Sequence, residues 1–152
     1  AYGNTVEMFY PAITATHADF GYYPTTSGLQ SGGVARAGGR APAGFSSVSD
    51  CTIIVGRGSS GSNDTGVQVG WTTNAHHDAR DAEDRAHFTV ASLANSNIPT
   101  ASDVYIGTFF NENNDDADFE DVVAIGDAFA FEVKNTGADS VQLFGVTVTW
   151  VF

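Results

Sequence analysis

The side chains best suited to chemistry fall in one stretch, "NAHHDARDAEDRAHF", which gathers His76, His77, Asp78, Asp81, Asp84 and His87. Imidazoles beside carboxylates suit a zinc site, and a helical zinc site wants two histidines one turn apart with a third ligand close by. The spacing falls short of that. His77 and Asp81 stand at i and i+4, but no second histidine is one turn away, and Arg80 and Arg85 lie among the acids as ion-pair partners. The segment reads as a solvated turn or a short surface helix along Ala79, Ala82 and Ala86, without a metal.

A second oxygen-rich stretch, "NENNDDADFED" (Asn111–Asp121), has the ligand types calcium takes, since that ion binds six to eight hard oxygens. An EF-hand does not fit. Counting twelve positions from Asn114 ends on Ile125, and counting from Asp116 puts Asp121 where the bend needs glycine. An acidic turn between two apolar runs is the expectation. No cofactor is expected, and calcium is the one ion this composition leaves open.

The glycine motifs carry less. "GRGSSG" after "CTIIV" lacks the Gly-Lys-Ser/Thr ending of a phosphate loop and no helical pattern follows it. Neither serine cluster has the G-x-S-x-G form of a nucleophile elbow. Asn63-Asp64-Thr65 matches a glycosylation sequon, which matters only in a secretory setting. No catalytic set emerges, and the expectation is a protein that is not an enzyme.

What must position these residues is a chain of 152 residues, most simply one domain (1–152). A chain of that length buries roughly 68–70% of its unfolded surface and needs no disulfide. None can form within it, because Cys51 is the sole cysteine, set in the apolar run "DCTIIVG". Net charge is −12, and Lys134 is the only lysine beside five arginines. Such a balance excludes nucleic acid and anionic membrane surfaces as direct partners, because both need clustered basic residues. No run approaches the roughly 18 apolar residues of a spanning helix. A start at Ala1 fits removal of an initiator Met as well as cleavage of a signal peptide.

Alternating strand-like runs dominate. "NTVEMFY" sets Val6, Met8 and Tyr10 against Thr5, Glu7 and Phe9, and Pro11 then ends it, so residues 1–12 read as an arm or an edge strand. "CTIIVG", "TGVQVGWTT", "DVYIGTFF" and "EDVVAIG" read as further strands. "DAFAFEVK", "NTGAD" and "SVQLFGVTVTWVF" read as a closing hairpin. In its second strand Phe144, Val146, Val148, Trp150 and Phe152 share one face, and Val141, Leu143, Thr147, Thr149 and Val151 share the other. Both faces are apolar enough to be covered. Ser27–Gly44 and Gly56–Gly66 read as long glycine-rich loops. The fold expected is all-β, an antiparallel β-sandwich or jelly-roll with long loops and at most a short helix.

Apolar, strand-like ends around an acidic domain without chemistry point to assembly. Val6, Met8, Tyr10, Trp150 and Phe152 are the expected contact residues, and the expected partners are copies of the chain and other shell or filament subunits. The functions this implies are a structural component of a virion, such as a capsid decoration (cement) or small capsid protein, or an extracellular filament subunit that donates its first strand. The aromatics of the first residues, around Pro11 and Pro24 (Tyr2, Phe9, Tyr10, Phe20, Tyr22 and Tyr23), also suit a secreted carbohydrate-binding module.

Overall fold

The computed structural model describes residues 3–16, 24–26, 28–57, 66–73, 88–89, 104–110 and 118–152. In chain order the elements are β1 (Asn4–Phe9), β2 (Ala15–Thr16), β3 (Pro24–Thr25), β4 (Val34–Arg40), β5 (Ser47–Arg57), β6 (Val67–Thr73), β7 (Phe88–Thr89) and β8 (Val104–Thr108), then one helical turn, α1 (Phe119–Val122), β9 (Ala128–Asn135) and β10 (Val141–Val151). Two four-stranded sheets, ordered β1-β10-β5-β8 and β4-β9-β6-β7, pack as a β-sandwich, with β2 and β3 as a small separate pair. Every pairing within the sheets is antiparallel.

Alternation decides which side chains fill the space between the sheets. From the first sheet come Cys51, Ile53, Val55, Val146, Val148 and Trp150; from the second come Val67, Val69, Trp71, Phe129, Phe131 and Val133. The centre is aromatic. Phe119 lies 4.7 Å from Phe131, 5.1 Å from Phe129 and 6.5 Å from Trp150, measured between ring centroids. Phe9 meets Phe129 edge-on at 5.0 Å, and Phe45 lies 4.8 Å from Trp150.

β9 and β10 do not form the hairpin that their spacing suggests. β9 belongs to the second sheet and β10 to the first, so residues 136–140 arch from one layer to the other. Asn135 holds the arch: its side-chain nitrogen donates to the carbonyls of Leu29 and Asp139, both at 2.8 Å, and its Oδ1 accepts from the Gly137 N–H at 2.9 Å. A hairpin would have turned the chain back within one sheet. These bonds turn it across the sandwich instead.

β10 is an interior strand, flanked by β5 on one side and on the other by β1 and then by Thr26 and Leu29, which bond to Leu143 and Val141 respectively. A register shift between Leu143 and Gly145 resets the alternation. Val141 and Leu143 therefore share the core with Val146, Val148 and Trp150 rather than facing away from them.

Two further expectations are corrected. The glycine-rich stretch 27–44 contains β4, whose Gly39 would clash with the Phe9 ring if it carried a Cβ, so this glycine answers to packing and not to a turn. "EDVVAIG" opens as α1, a turn set by a capping box between Asp118 and Asp121. Phe119 enters the core from it.

Cys51 is 0% exposed, as the apolar run implied. Burial pushes its thiol well above the ordinary value, and the carboxylates of Glu120, Asp50 and Asp118 add to this. The native thiol is expected to resist an aromatic disulfide reagent at neutral pH and to react fully in denaturant. Reaction of the native protein at the rate of an exposed thiol would show that β5 opens readily.

Candidate functional site

The first sheet has one face against the core and one facing outward. On the outward face the registers bring Met8, Thr147, Thr52 and Thr108 into one row across all four strands. Beside it, Ile54 and Ile106 are paired, and on the other side Val6, Thr149 and Asp50 line up. Threonine and β-branched aliphatics suit a pleated surface for the same reason they suit strands. Val6 is 65% exposed and Ile106 66%. Side-chain bonds tie strands across the face: the hydroxyls of Thr52 and Thr147 bond to each other, and the Thr108 hydroxyl donates to Asp50 Oδ1 at 3.0 Å.

Charge is nearly missing here. In a chain of net charge −12, Asp50 is the one carboxylate among the described residues of this face, and its Oδ1 also accepts the Cys51 N–H at 2.9 Å. Glu7 points to the opposite side of β1, where it accepts the Trp150 indole N–H at 3.1 Å.

Five contact residues were expected from the sequence, and the structure separates them. Val6 and Met8 share the outward face, Val6 open and Met8 half-buried beside Gly145. Tyr10, 58% exposed, follows at the end of β1. Trp150 is only 1% exposed and lies inside the core of its own chain, so the expectation that it meets a partner is corrected. Phe152 is half-buried and packs against the same core, with its N–H on the Gly3 carbonyl. Strand parity fixed which residues share a face, and the aromatic core drew the Trp150 side inward. Thr52, Ile54, Ile106, Thr108, Thr147 and Thr149 were missed, though the Thr-x-Thr in "GVTVTW" is the mark of a strand with a dressed outer face.

The second sheet offers a different feature. Its outer face carries a cleft of about 400 Å³ lined by Arg36, Gly70, Thr72, Ala130 and Glu132, among others. Arg36 Nη2 and a Glu132 carboxylate oxygen are 2.7 Å apart at its wall. His76, His77, Asp78, Asp81, Asp84 and His87 lie outside the described residues, as do positions 111–117 of the acidic stretch and the sequon at Asn63. Asp118 and Asp121 at the end of that stretch are engaged in the α1 cap. Among the described residues no cluster of three His, Cys, Asp or Glu side chains could hold a metal ion, and no helix is long and apolar enough to cross a membrane.

No protein-family model matches the sequence and no curated protein resembles it. Among solved structures the fold is similar to that of a family 35 carbohydrate-binding module from an environmental isolate. The match has a TM-score of 0.51 at 11% identity and covers 95% of this chain and 87% of the other. At that identity the likeness shows the β-sandwich fold.

Proposed function

We propose that this chain is a non-catalytic structural subunit that assembles with copies of itself, and that its setting is a particle such as a virion, as a decoration or small capsid protein. One observation carries the reading: the outward face of the first sheet is mostly β-branched, exposes Val6 and Ile106, and among the described residues carries Asp50 as its one carboxylate on an acidic chain. Subunits that each carry a charge of −12 repel over most of their surface. They approach most easily where carboxylates are fewest, and that face is also the one where apolar burial is available.

Salt then acts in a defined direction. Screening shortens the repulsion to about 8 Å near physiological ionic strength and leaves apolar contact intact, so association should strengthen as salt rises. Light scattering of the purified chain is the test. A discrete oligomer or particle that grows with salt, and that Ile106→Glu returns to monomer with no change in melting temperature, supports the reading. A monomer at every salt and concentration would overturn it. Open-ended polymers would support the extracellular filament in its place.

A second reading, a secreted carbohydrate-binding module, is favoured by the likeness to a module of that class and by the cleft. Arg36 and Glu132, already paired, supply donors and acceptors for neutral hydroxyls without a net charge. Sugar binding by a monomer, lost on Ala130→Leu, would place this reading first.

A further inference from the structure

We propose that the outward face of the second sheet binds an anionic glycan, a hydroxylated chain bearing carboxylate or sulfate groups. Arg36, Arg40 and Lys134 meet the acids, and the cleft beside Arg36 meets the hydroxyls. The inference rests on the sugar-binding reading and names the class of sugar. It uses the side of the sandwich opposite the threonine row, so it does not compete with self-assembly.

Charge is the first argument. The chain has only six basic side chains. Strand parity turns three of them outward here, because Ala37 and Ala41 beside Arg36 and Arg40, and Val133 and Asn135 beside Lys134, are buried. Among the described residues Glu132 is the one carboxylate on the strands of this sheet, and Arg36 neutralises it at 2.7 Å. A surplus of positive charge is thus gathered on one face of a chain whose net charge is −12. Screening near physiological ionic strength acts over about 8 Å, so an anion lying on this face meets these groups before the acids elsewhere.

The arginines are held in place. Arg36 Nη2 is fixed on Glu132, and Arg40 Nε donates to the Gly126 carbonyl at 3.1 Å. A guanidinium has five N–H donors, so each keeps donors for a ligand while part of its freedom is already lost. The two stand four residues apart on β4, roughly 13 Å along a strand. That separation suits successive acidic groups on a chain better than one small ion.

The floor between them favours a glycan over an acidic peptide. Gly38, Ala130 and Thr72 form one row across β4, β9 and β6, and Gly70 lies beside Glu132 in the next. No long side chain rises from that row, and the cleft of about 400 Å³ beside it is of ligand size. The backbone groups of a sheet face are spent in the ladders, so a peptide lying there gains no strand pairing. Sugar hydroxyls need only side-chain partners, which Thr72, Glu132 and Arg36 supply.

Calorimetric titration of the full chain is the test, with oligosaccharides of alginate (carboxylates), dextran sulfate (sulfates) and dextran (neither), and with polyglutamate as the acidic peptide. At least one acidic glycan should bind tenfold or more tighter than dextran and polyglutamate, and which one binds identifies the acid. Arg40→Gln and Lys134→Gln should each weaken that binding at least threefold, and Ala130→Leu should abolish it. Lys134→Gln should leave the melting temperature unchanged, which separates lost contacts from lost folding. Acidic glycans bound as well by both glutamine variants would put the site elsewhere and overturn the assignment. Dextran bound as tightly as the acids overturns the anionic class and leaves the sugar-binding reading standing. Polyglutamate bound as tightly as either acid overturns the glycan. Binding of none of the four overturns the inference together with the sugar-binding reading.

Discussion

Asn135→Ala is expected to cost about 3–5 kcal/mol of stability, because it strips two or more buried backbone groups of a partner at about 1–3 kcal/mol each. Asn135 is 1% exposed and its amide makes three bonds within the arch. The Leu29 carbonyl keeps the Val141 N–H when the side chain goes, whereas the buried Gly137 N–H loses its acceptor. For a chain of this length the loss corresponds to a melting temperature lower by roughly 6–20 °C. Asn135→Asp separates geometry from donation. It keeps the acceptor for Gly137 but turns a carboxylate toward two carbonyls, so the folded-state pKa of the new carboxyl should rise above its unfolded value. The sign follows: the introduced carboxyl is tolerated below the unfolded value of about 4, and stability falls as pH rises from there through the folded pKa. Thermal melts of both variants between acid and neutral pH are the measurement. Equal loss at all pH for the two would mean that the side chain fills space and does not hold the arch.

The strand character of this chain was legible because β structure is written in alternation, and Val67, Val69 and Trp71 or Phe129, Phe131 and Val133 alternate without a break. Partners were not legible. A five-residue connection fits a hairpin or an arch, and what decides between them is the bonding of Asn135, which a local reading assigns to a turn. Gly38-Gly39 looked like a loop for a related reason. Glycine marks a turn when the backbone needs positive φ and a close contact when a neighbour needs room, and the sequence does not tell these apart. A Cβ on Gly38 would lie 2.6 Å from the Phe129 carbonyl oxygen, so room is what is needed here.

The candidate face was half legible. Parity placed Val6 and Met8 together, and the structure puts both on the outward face of the first sheet. Parity could not say that Trp150 lies on the inward side, because the register shift that turns Val141 and Leu143 into the core comes from pairing with β5. Four strands distant in sequence had to be laid side by side before Thr52, Thr108 and Thr147 became one row. The same arrangement sends Trp150 and Glu7 to the inward side together, where the indole N–H donates to the Glu7 carboxylate.

The core has its own point of greatest sensitivity, and it is not in a strand. Phe119→Ala is expected to cost about 3–5 kcal/mol, at the high end for large-to-small changes, because the ring is shared between layers. Phe119 is 1% exposed and touches Trp71, Phe129 and Phe131 of the second sheet and Trp150 of the first. A cavity there cannot collapse from one side, since each sheet is held by its own ladder. Phe119→Leu keeps most of the volume and should cost roughly 1–2 kcal/mol. Both tryptophans of the chain neighbour this ring, so their emission reports the site directly. The alanine variant should shift and broaden native tryptophan fluorescence and lower the urea midpoint, with the leucine variant between it and the unchanged chain. A cost for Phe119→Ala near ~1 kcal/mol with unchanged emission would mean that the α1 turn sits on the sandwich without joining its two halves.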